Sequence, residues 1–488
     1  MARTIDMSRR GFLGTMGAMG VVGTMGAMGM GLAPSVSLAG NGIDPQGVDL
    51  PWGGANSADG SWTGTPDDVK AKGGCTMPLE ELNRRRHLYV DSQTEYTCSD
   101  GKTIPECYVK ARALLHTYGF GIGNEKTDTC FDWFMSEMSE DEAKAYIDMP
   151  YGRLFTSQEW AEESGRDVDE CETICDGLFS KAWLGRIVND NGVQYYHIAW
   201  IQGVGEYHTP DYYDGRTDLA AAGTIATSDA LKSGFEAGMP FFASVPCRPE
   251  VVKDGAIYPV DDVRKIWASK RKFSLSPCYC RSMDAFSAGQ KVDLPGYPDL
   301  DGNYDIADVT SPLCGHDMET CLSCGEEAQF WIDHGVGREI TYEEAMERLE
   351  KSVDEGMIIN HTCSVRSETI CSCDGDCCLD LAIWKQVGSG SRAWQQSSHY
   401  TLEVDTDACI KCGACVERCP MDMVTLDEKT GYPTVGDLCM RCGQCVLTCP
   451  AGARILVPRP QDEFMLYEDI IEQNNMIAAD RFENGYIW

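Results

Sequence analysis

Cys409-Ile-Lys-Cys412-Gly-Ala-Cys415-Val-Glu-Arg-Cys419-Pro420 is followed by Cys439-Met-Arg-Cys442-Gly-Gln-Cys445-Val-Leu-Thr-Cys449-Pro450, and these two runs decide how the chain is read. Each run is C-x2-C-x2-C-x3-C-P, and every cysteine of the second stands thirty positions after its counterpart. Three thiols this close in sequence converge only through a tight loop, and Gly413 and Gly443 supply the backbone freedom such a loop needs. Pro420 and Pro450 fix the chain where it leaves each run and remove one amide donor. The plainer uses of such cysteines are a disulfide knot, or zinc held at paired C-x2-C motifs. Zinc takes four ligands, which accounts for neither the third cysteine of each run nor the proline that follows.

The pattern resembles that of the bacterial two-cluster ferredoxins, in which three cysteines of a run hold one [4Fe–4S] cube and the fourth reaches the other. Carried over by position, the resemblance implies that Cys409, Cys412, Cys415 and Cys449 ligate one cluster. Cys439, Cys442, Cys445 and Cys419 then ligate the second. The cofactors it implies are two [4Fe–4S] clusters, and the chemistry is one-electron transfer.

The chain has 488 residues, enough for more than one domain and an ample core. Hydrophobic content of 43% with 24% charged residues is ordinary for a soluble protein. The charge balance is not, since 76 acidic side chains face 41 basic ones, a net of −35. Such a field repels phosphate backbones and anionic lipid headgroups, so nucleic acid is not expected as a partner. It suits docking on the basic patch of a redox partner, such as a reductase or dehydrogenase subunit, although an acidic surface also serves solubility alone. Of 25 cysteines, 18 lie after position 270.

Ser8-Arg9-Arg10-Gly11-Phe12-Leu13 resembles the twin-arginine export motif. Behind it, Phe12 to Leu32 carries no charge, and 7 of its 21 residues are glycine. That is weakly apolar, as signals of this kind are and a firm membrane anchor is not. Ser37-Leu38-Ala39 offers a small-x-small cleavage site, so residues 1–39 read as a signal peptide. The alternative is an uncleaved helix that tethers the protein to the membrane. The resemblance implies a periplasmic or extracytoplasmic protein with no integral span once the signal is removed. It also implies export in the folded state, which suits a chain whose iron–sulfur sites are filled in the cytoplasm. Residues 40–74 are rich in Gly, Asp, Ser and Pro and read as an irregular linker. Residues 75–144 form a mixed segment in which Cys75, Cys98, Cys107 and Cys130 match no cofactor spacing. Buried thiols or disulfides formed after export are expected there.

Residues 145–215 read as a winged-helix-like module. Thr156 and Glu159 form a capping box that opens a short helix, ended by Gly165. A second helix from Asp167 carries Val168, Cys171, Ile174, Cys175, Leu178 and Ala182 on one face until Gly185 breaks it. Strands flanking Asn189-Asp-Asn-Gly192 complete a hairpin. Ten acidic and four basic side chains in residues 148–200 oppose the use of this module on DNA, so a structural or protein-facing role is expected.

Residues 216–398 form a cysteine-rich middle domain. Cys278, Cys280, Cys314, Cys321, Cys324, Cys371, Cys373, Cys377 and Cys378 are the candidates for a third site, with Cys363 nearby. Between them a helix opens at Thr341 and Glu344, buries Ala345, Leu349 and Val353, and closes at Gly356. Phe330–Arg338 and Ile370–Cys378 resemble a cysteine-rich region found ahead of ferredoxin domains in iron–sulfur proteins of anaerobes, a resemblance that implies no particular activity. Vicinal and C-x-C cysteines cannot all face one metal from a regular helix, so any metal site there is built from loops. A third iron–sulfur or other thiolate metal site, disulfides formed after export, and buried thiols all stand open. His316, His334 and His361 are near enough in sequence to add a nitrogen ligand. No glycine-rich phosphate loop is present, because Lys126 occupies the position after Gly121-Ile-Gly123 where a further glycine is required. No nucleophile–base signature is found, and no catalytic residue is assigned.

Residues 399–459 are the two-cluster ferredoxin-like domain, and residues 460–488 an acidic tail ending Tyr486-Ile-Trp488. The expected fold class is thus α+β and multidomain. The expected function is electron transfer in an exported protein of anaerobic metabolism, not a self-contained catalyst. The alternative is an enzyme that resembles the reductive dehalogenases, which share the twin-arginine signal, the length and two C-terminal [4Fe–4S] motifs that feed a corrinoid. The middle of the chain presents no corrinoid-binding region and carries a cysteine cluster not expected of that group. A thiolate-metal sensor or assembly factor is a third reading, opposed by the acidic surface and the export signal.

Overall fold

The computed structural model describes residues 77–487 apart from 120–127, 190–191, 200, 213–219, 221–238, 269, 271, 288–313, 365–366, 388–394, 461–464 and 468. The signal segment, the linker of residues 40–74, and Cys75 lie outside the described residues. Helix and strand are mixed along the chain, in an α+β arrangement.

The N-terminal layer is helical: α1 (Leu79–Ser92), α2 (Glu106–His116), α3 (Asp128–Glu137), α4 (Glu140–Asp148), α5 (Ser157–Ser164) and α6 (Val168–Ser180). Ser139 with Glu142, and Thr156 with Glu159, form capping boxes at the starts of α4 and α5. Asp167 caps α6 by accepting the amides of Asp169 and Glu170. The hairpin β1 (Leu184–Asn189) and β2 (Gly192–His197) follows. Helix, helix and hairpin therefore occur in the expected order, but that order is the whole of the likeness to a winged helix. The inner face of α6, with Cys171, Cys175 and Leu178, is buried in the N-terminal core beside Trp133, Trp160 and Trp183. Gly185 is not the helix breaker. It lies inside β1, where a side chain would overlap the ring of Tyr196. Cys98, Cys107 and Cys130 are buried.

A seven-stranded sheet forms the centre. Its strands are β3 (Phe242–Val245), β4 (Phe273–Pro277), β5 (Glu319–Cys324), β6 (Arg338–Ile340), β7 (Ile358–Thr362), β8 (Thr369–Cys373) and β9 (Gln395–Gln396). They are arranged β6-β4-β5-β8-β7-β3-β9, antiparallel except for the β3–β9 pair. Every residue of β3, β4 and β7 is buried, as strands covered on both faces require. Helices α7 (Val263–Ala268), α8 (Tyr279–Ser287), α9 (Gly325–Asp333), α10 (Tyr342–Glu355) and α11 (Leu379–Val387) pack around it. Ala345, Leu349 and Val353 of α10 join Phe273, Leu275, Leu322, Ile359 and Ile370 in one apolar cluster. Thr341 caps α10 through the Glu344 amide, and Gly356 at φ 101° ends it. The capping box is only half made, because the Glu344 carboxylate pairs with Arg338.

The C-terminal lobe pairs β10 (Tyr400–Val404) with β13 (Arg454–Pro458) and β11 (Val424–Leu426) with β12 (Pro433–Val435), around the short helices α12 (Ala414–Glu417) and α13 (Gln444–Leu447). The segment beyond it is not a loose tail. It forms α14 (Ile470–Glu483), which returns to the N-terminal layer. Arg481 donates to the His116 carbonyl at 2.6 Å, Asn475 to that of Gly152 at 2.7 Å, and Gln473 to that of Phe241 at 2.7 Å. Among the described residues no helix is long and apolar enough to cross a membrane.

Candidate metal centre

Each cysteine run curls by the same backbone device. Lys411 and Arg441 take φ of 57° and 54°, and Gly413 and Gly443 take 82° and 87°. Two left-handed residues within three reverse the chain sharply, which lets the thiols of a run line one hollow. Asp422 and Gly452, again thirty apart, take 57° and 59° beyond the prolines. Amides there point at sulfur. Met423 N–H donates to Cys419 Sγ at 3.3 Å, Ala453 N–H to Cys449 Sγ at 3.3 Å, and Arg441 N–H to Cys439 Sγ at 3.4 Å. Donors of this kind favour anionic sulfur.

Cys409, Cys412, Cys415 and Cys449 line the first hollow, with Ile410 and Arg454 beside them. Cys419, Cys439, Cys442 and Cys445 line the second, with Met440, Gln444 and Leu456. The structure therefore gathers the eight cysteines in two fours, and the fourth thiol of each comes from the opposite run. Burial pushes the Cys445 thiol up to about 12, with the Arg454 guanidinium pulling against it. Burial likewise raises Cys442 well above the ordinary thiol range. Thiolates at these positions need a positive counterpart within the hollow.

Arg454 bears directly on whether an anionic group fits here. It is 3% exposed, and none of its three guanidinium nitrogens has a hydrogen-bond partner among the described residues. A buried cation with unused donors, set among thiols, is suited to a sulfide-rich anionic group. Among the described residues, no three His, Cys, Asp or Glu side chains are drawn together tightly enough for a single metal ion. Thiols spread around a hollow suit a larger inorganic unit, and these residues fit an iron–sulfur cluster.

Residues 402–456 match the family model of the 4Fe-4S dicluster domain. No curated protein and no solved structure matches the chain. The C-terminal lobe is thus a 4Fe-4S dicluster domain of ferredoxin type, a module suited to iron–sulfur electron transfer.

The two hollows differ in their surroundings. Cys412 is exposed and Ile410 is 64% exposed, whereas their counterparts Cys442 and Met440 are 9% and 1% exposed. The second run is sealed against the central domain. Gln444 donates to the carbonyls of Val353 at 3.0 Å and Met357 at 2.7 Å, and accepts from Arg418 at 3.0 Å. Cys247 N–H reaches the Cys442 carbonyl at 2.8 Å.

In the middle domain Cys278, Cys280, Cys321, Cys371, Cys373, Cys377 and Cys378 line a third hollow, together with Glu206, Arg281 and Asp380. Burial raises the Asp380 carboxyl to about 7 and the Glu206 carboxyl well above its ordinary range. Two of the nine candidates stand outside this lining. Cys314 lies beside it, accepting from Arg281 Nε at 3.3 Å. Cys324 is buried in the apolar cluster under α10, because three positions along a strand turn it away from Cys321. The histidines do not line this hollow, although Asp374, the partner of His316, does. His334 meets the carbonyls of Phe330 and Phe179, each at 2.6 Å, His316 lies 3.3 Å from Asp374, and buried His361 lies 3.9 Å from Asp261.

Arg454, Gln444 and Arg281 are the residues that sequence reading did not single out. The signal for Arg454 was an arginine in the otherwise apolar strand Ile455-Leu456-Val457. Gln444 and Arg281 each sit directly beside a cysteine of a motif.

Proposed function

We propose that the protein is an exported electron carrier holding two [4Fe–4S] clusters in its dicluster domain. Cys409, Cys412, Cys415 and Cys449 hold one, and Cys439, Cys442, Cys445 and Cys419 the other. The observation that carries this reading is the grouping of eight thiols in two fours around hollows of similar size, with buried Arg454 beside them. Bound there, the clusters supply one-electron chemistry at potentials set by amide donors, burial and charge. The amides on Cys419, Cys439 and Cys449 make anionic sulfur easier to hold, while the net charge of −35 makes an added electron harder to accept.

The exposed first run is the side a partner reaches. Ile410, Leu426 and Val435 are exposed apolar side chains on this lobe, and Lys411 stands among them. A reductase or dehydrogenase subunit with a basic rim and an apolar centre would dock there. Export by the twin-arginine route belongs to the same proposal, since that signal suits a protein loaded with its clusters before it leaves the cytoplasm.

The test is anaerobic purification of the full chain, with iron and sulfide assays and EPR of the reduced protein. Replacing Cys415 by Ser removes about four iron and one cluster signal, and leaves the other. Unchanged iron and spectrum in that variant, or an iron-free wild type with cystines at these positions, defeats the proposal. Stoichiometric corrinoid in the preparation would move the chain to the dehalogenase reading.

A further inference from the structure

We infer that the third hollow, in the middle domain, is an additional iron–sulfur site built on the central sheet and joined to the second C-terminal hollow. Nothing in the runs at residues 409–450 requires it, and the site stands on its own geometry.

Neighbouring strands bring its sulfurs together. Cys278 follows β4 directly, Cys321 lies on β5, and Cys371 and Cys373 lie on β8, two apart and so on one face of the strand. Leu322 faces Ile370 across the β5–β8 pair, which brings Cys321 beside Cys371. The turn after β8 completes the ring, with the Asp374 carbonyl accepting Cys377 N–H at 3.4 Å and Cys378 N–H at 3.1 Å. Cys280 comes from the first turn of α8. Thiol contacts run from Cys371 to Cys373, to Cys378, to Cys280 and to Cys278, while Cys377 meets Cys314.

Plain burial does not account for this. Core thiols pack as small apolar groups and leave few voids larger than water, but these seven line an open recess with a cavity volume of about 40 Å³. Charge is arranged as well. Arg281 is 1% exposed and always protonated, and it donates to Cys314 Sγ at 3.3 Å and to the carbonyls of Asp317 at 3.2 Å and Ser372 at 2.9 Å. A fixed cation beside so many thiols offsets the negative charge of a thiolate-ligated cluster.

The turn at residues 374–378 also makes the joint. Gly375 N–H donates to the Pro420 carbonyl at 3.2 Å, and a Cβ on Gly375 would come within 2.5 Å of that oxygen. Lys385 Nζ holds the Gly375 carbonyl at 2.6 Å, and Trp384 Nε1 holds that of Leu438 at 2.9 Å. Cys373 and Cys378 share one apolar cluster with Met421, Met440 and Cys442, with Cys419 packed on it. A single electron leaving the second C-terminal site therefore has the third site as its neighbour, one centre being oxidised as the other is reduced. This connection, unlike the site itself, rests on the two-cluster reading above.

The test uses the full chain, purified anaerobically and supplied with ferrous iron and sulfide. Three proteins are compared: wild type, Cys280→Ser/Cys378→Ser, and Cys415→Ser/Cys445→Ser. Wild type is expected to hold clearly more than eight iron, with Mössbauer and EPR spectra of more than two clusters. The Cys280/Cys378 variant loses that excess and keeps both C-terminal signals, which also report that it folds. The Cys415/Cys445 variant retains the excess, so the inference stays testable even where the first variant fails to fold. About eight iron in wild type overturns the inference, as do zinc in the hollow, cystines among its seven cysteines, or a Cys415/Cys445 variant devoid of iron. Failure of the C-terminal assignment looks different, because the Cys415/Cys445 variant would then lose nothing.

Discussion

Residues 409–420 and 439–450 are the same device in two settings. Their backbones agree to within a few degrees at Lys411 and Arg441, and at Gly413 and Gly443. Their environments are opposed, since Ile410 stands in solvent where Met440 is sealed in the core. Cysteine spacing thus determines local geometry, while docking of the lobe on α10 and the turn at residues 374–378 determines which hollow lies toward solvent and which faces inward.

The sharpest way to break this comparison is to truncate matched positions. Met440→Ala should cost about 2–5 kcal/mol, because it empties space in a cluster shared with Trp384 and Met421. Ile410→Ala should stay within about 0.5 kcal/mol, and instead slow electron exchange with a partner. Denaturant unfolding of both variants measures the contrast, and equal losses would show that the two runs are not differently embedded. Gln444→Ala comes next. It removes the side-chain donor to the Met357 carbonyl, while that of Val353 keeps Arg418 and the Gly356 amide, and should cost about 1–3 kcal/mol, with no loss of iron. Arg454→Leu should have the smallest effect on stability and act on potential instead. Removing a buried positive charge beside Cys439 and Cys445 makes reduction harder, so the midpoint should fall by roughly 50 mV, on the order of 1 kcal/mol per electron. Spectroscopic redox titration reads that shift, and a rise in potential would reverse the role given to Arg454.

The dicluster lobe was the most legible part of the chain because its thiols, glycines and prolines are local, and a thirty-residue repeat shows without any knowledge of packing. The helices at Thr156, Asp167 and Thr341 were legible for the same reason, through their caps. The third hollow was legible only as an unusual crowd of cysteines. Its members come from two strands, the residue after a third, a helix start and a turn, and spacing alone does not separate Cys321, which lines it, from Cys324, which does not. The C-terminal helix is hidden in an acidic stretch of sequence because several of its buried residues are polar. Gln473, Asp480 and Arg481 bury through specific partners, not through an apolar stripe.

That last helix has a consequence for how the molecule is made. Arg481 grips the carbonyl of His116, 365 positions earlier, so the N-terminal layer is finished only after the dicluster lobe has been synthesised. The dicluster lobe is consequently an interior insert in the folding order and not an appendage. Cutting the chain after residue 459 should yield not a trimmed carrier but a protein whose opening helices lack their closing piece.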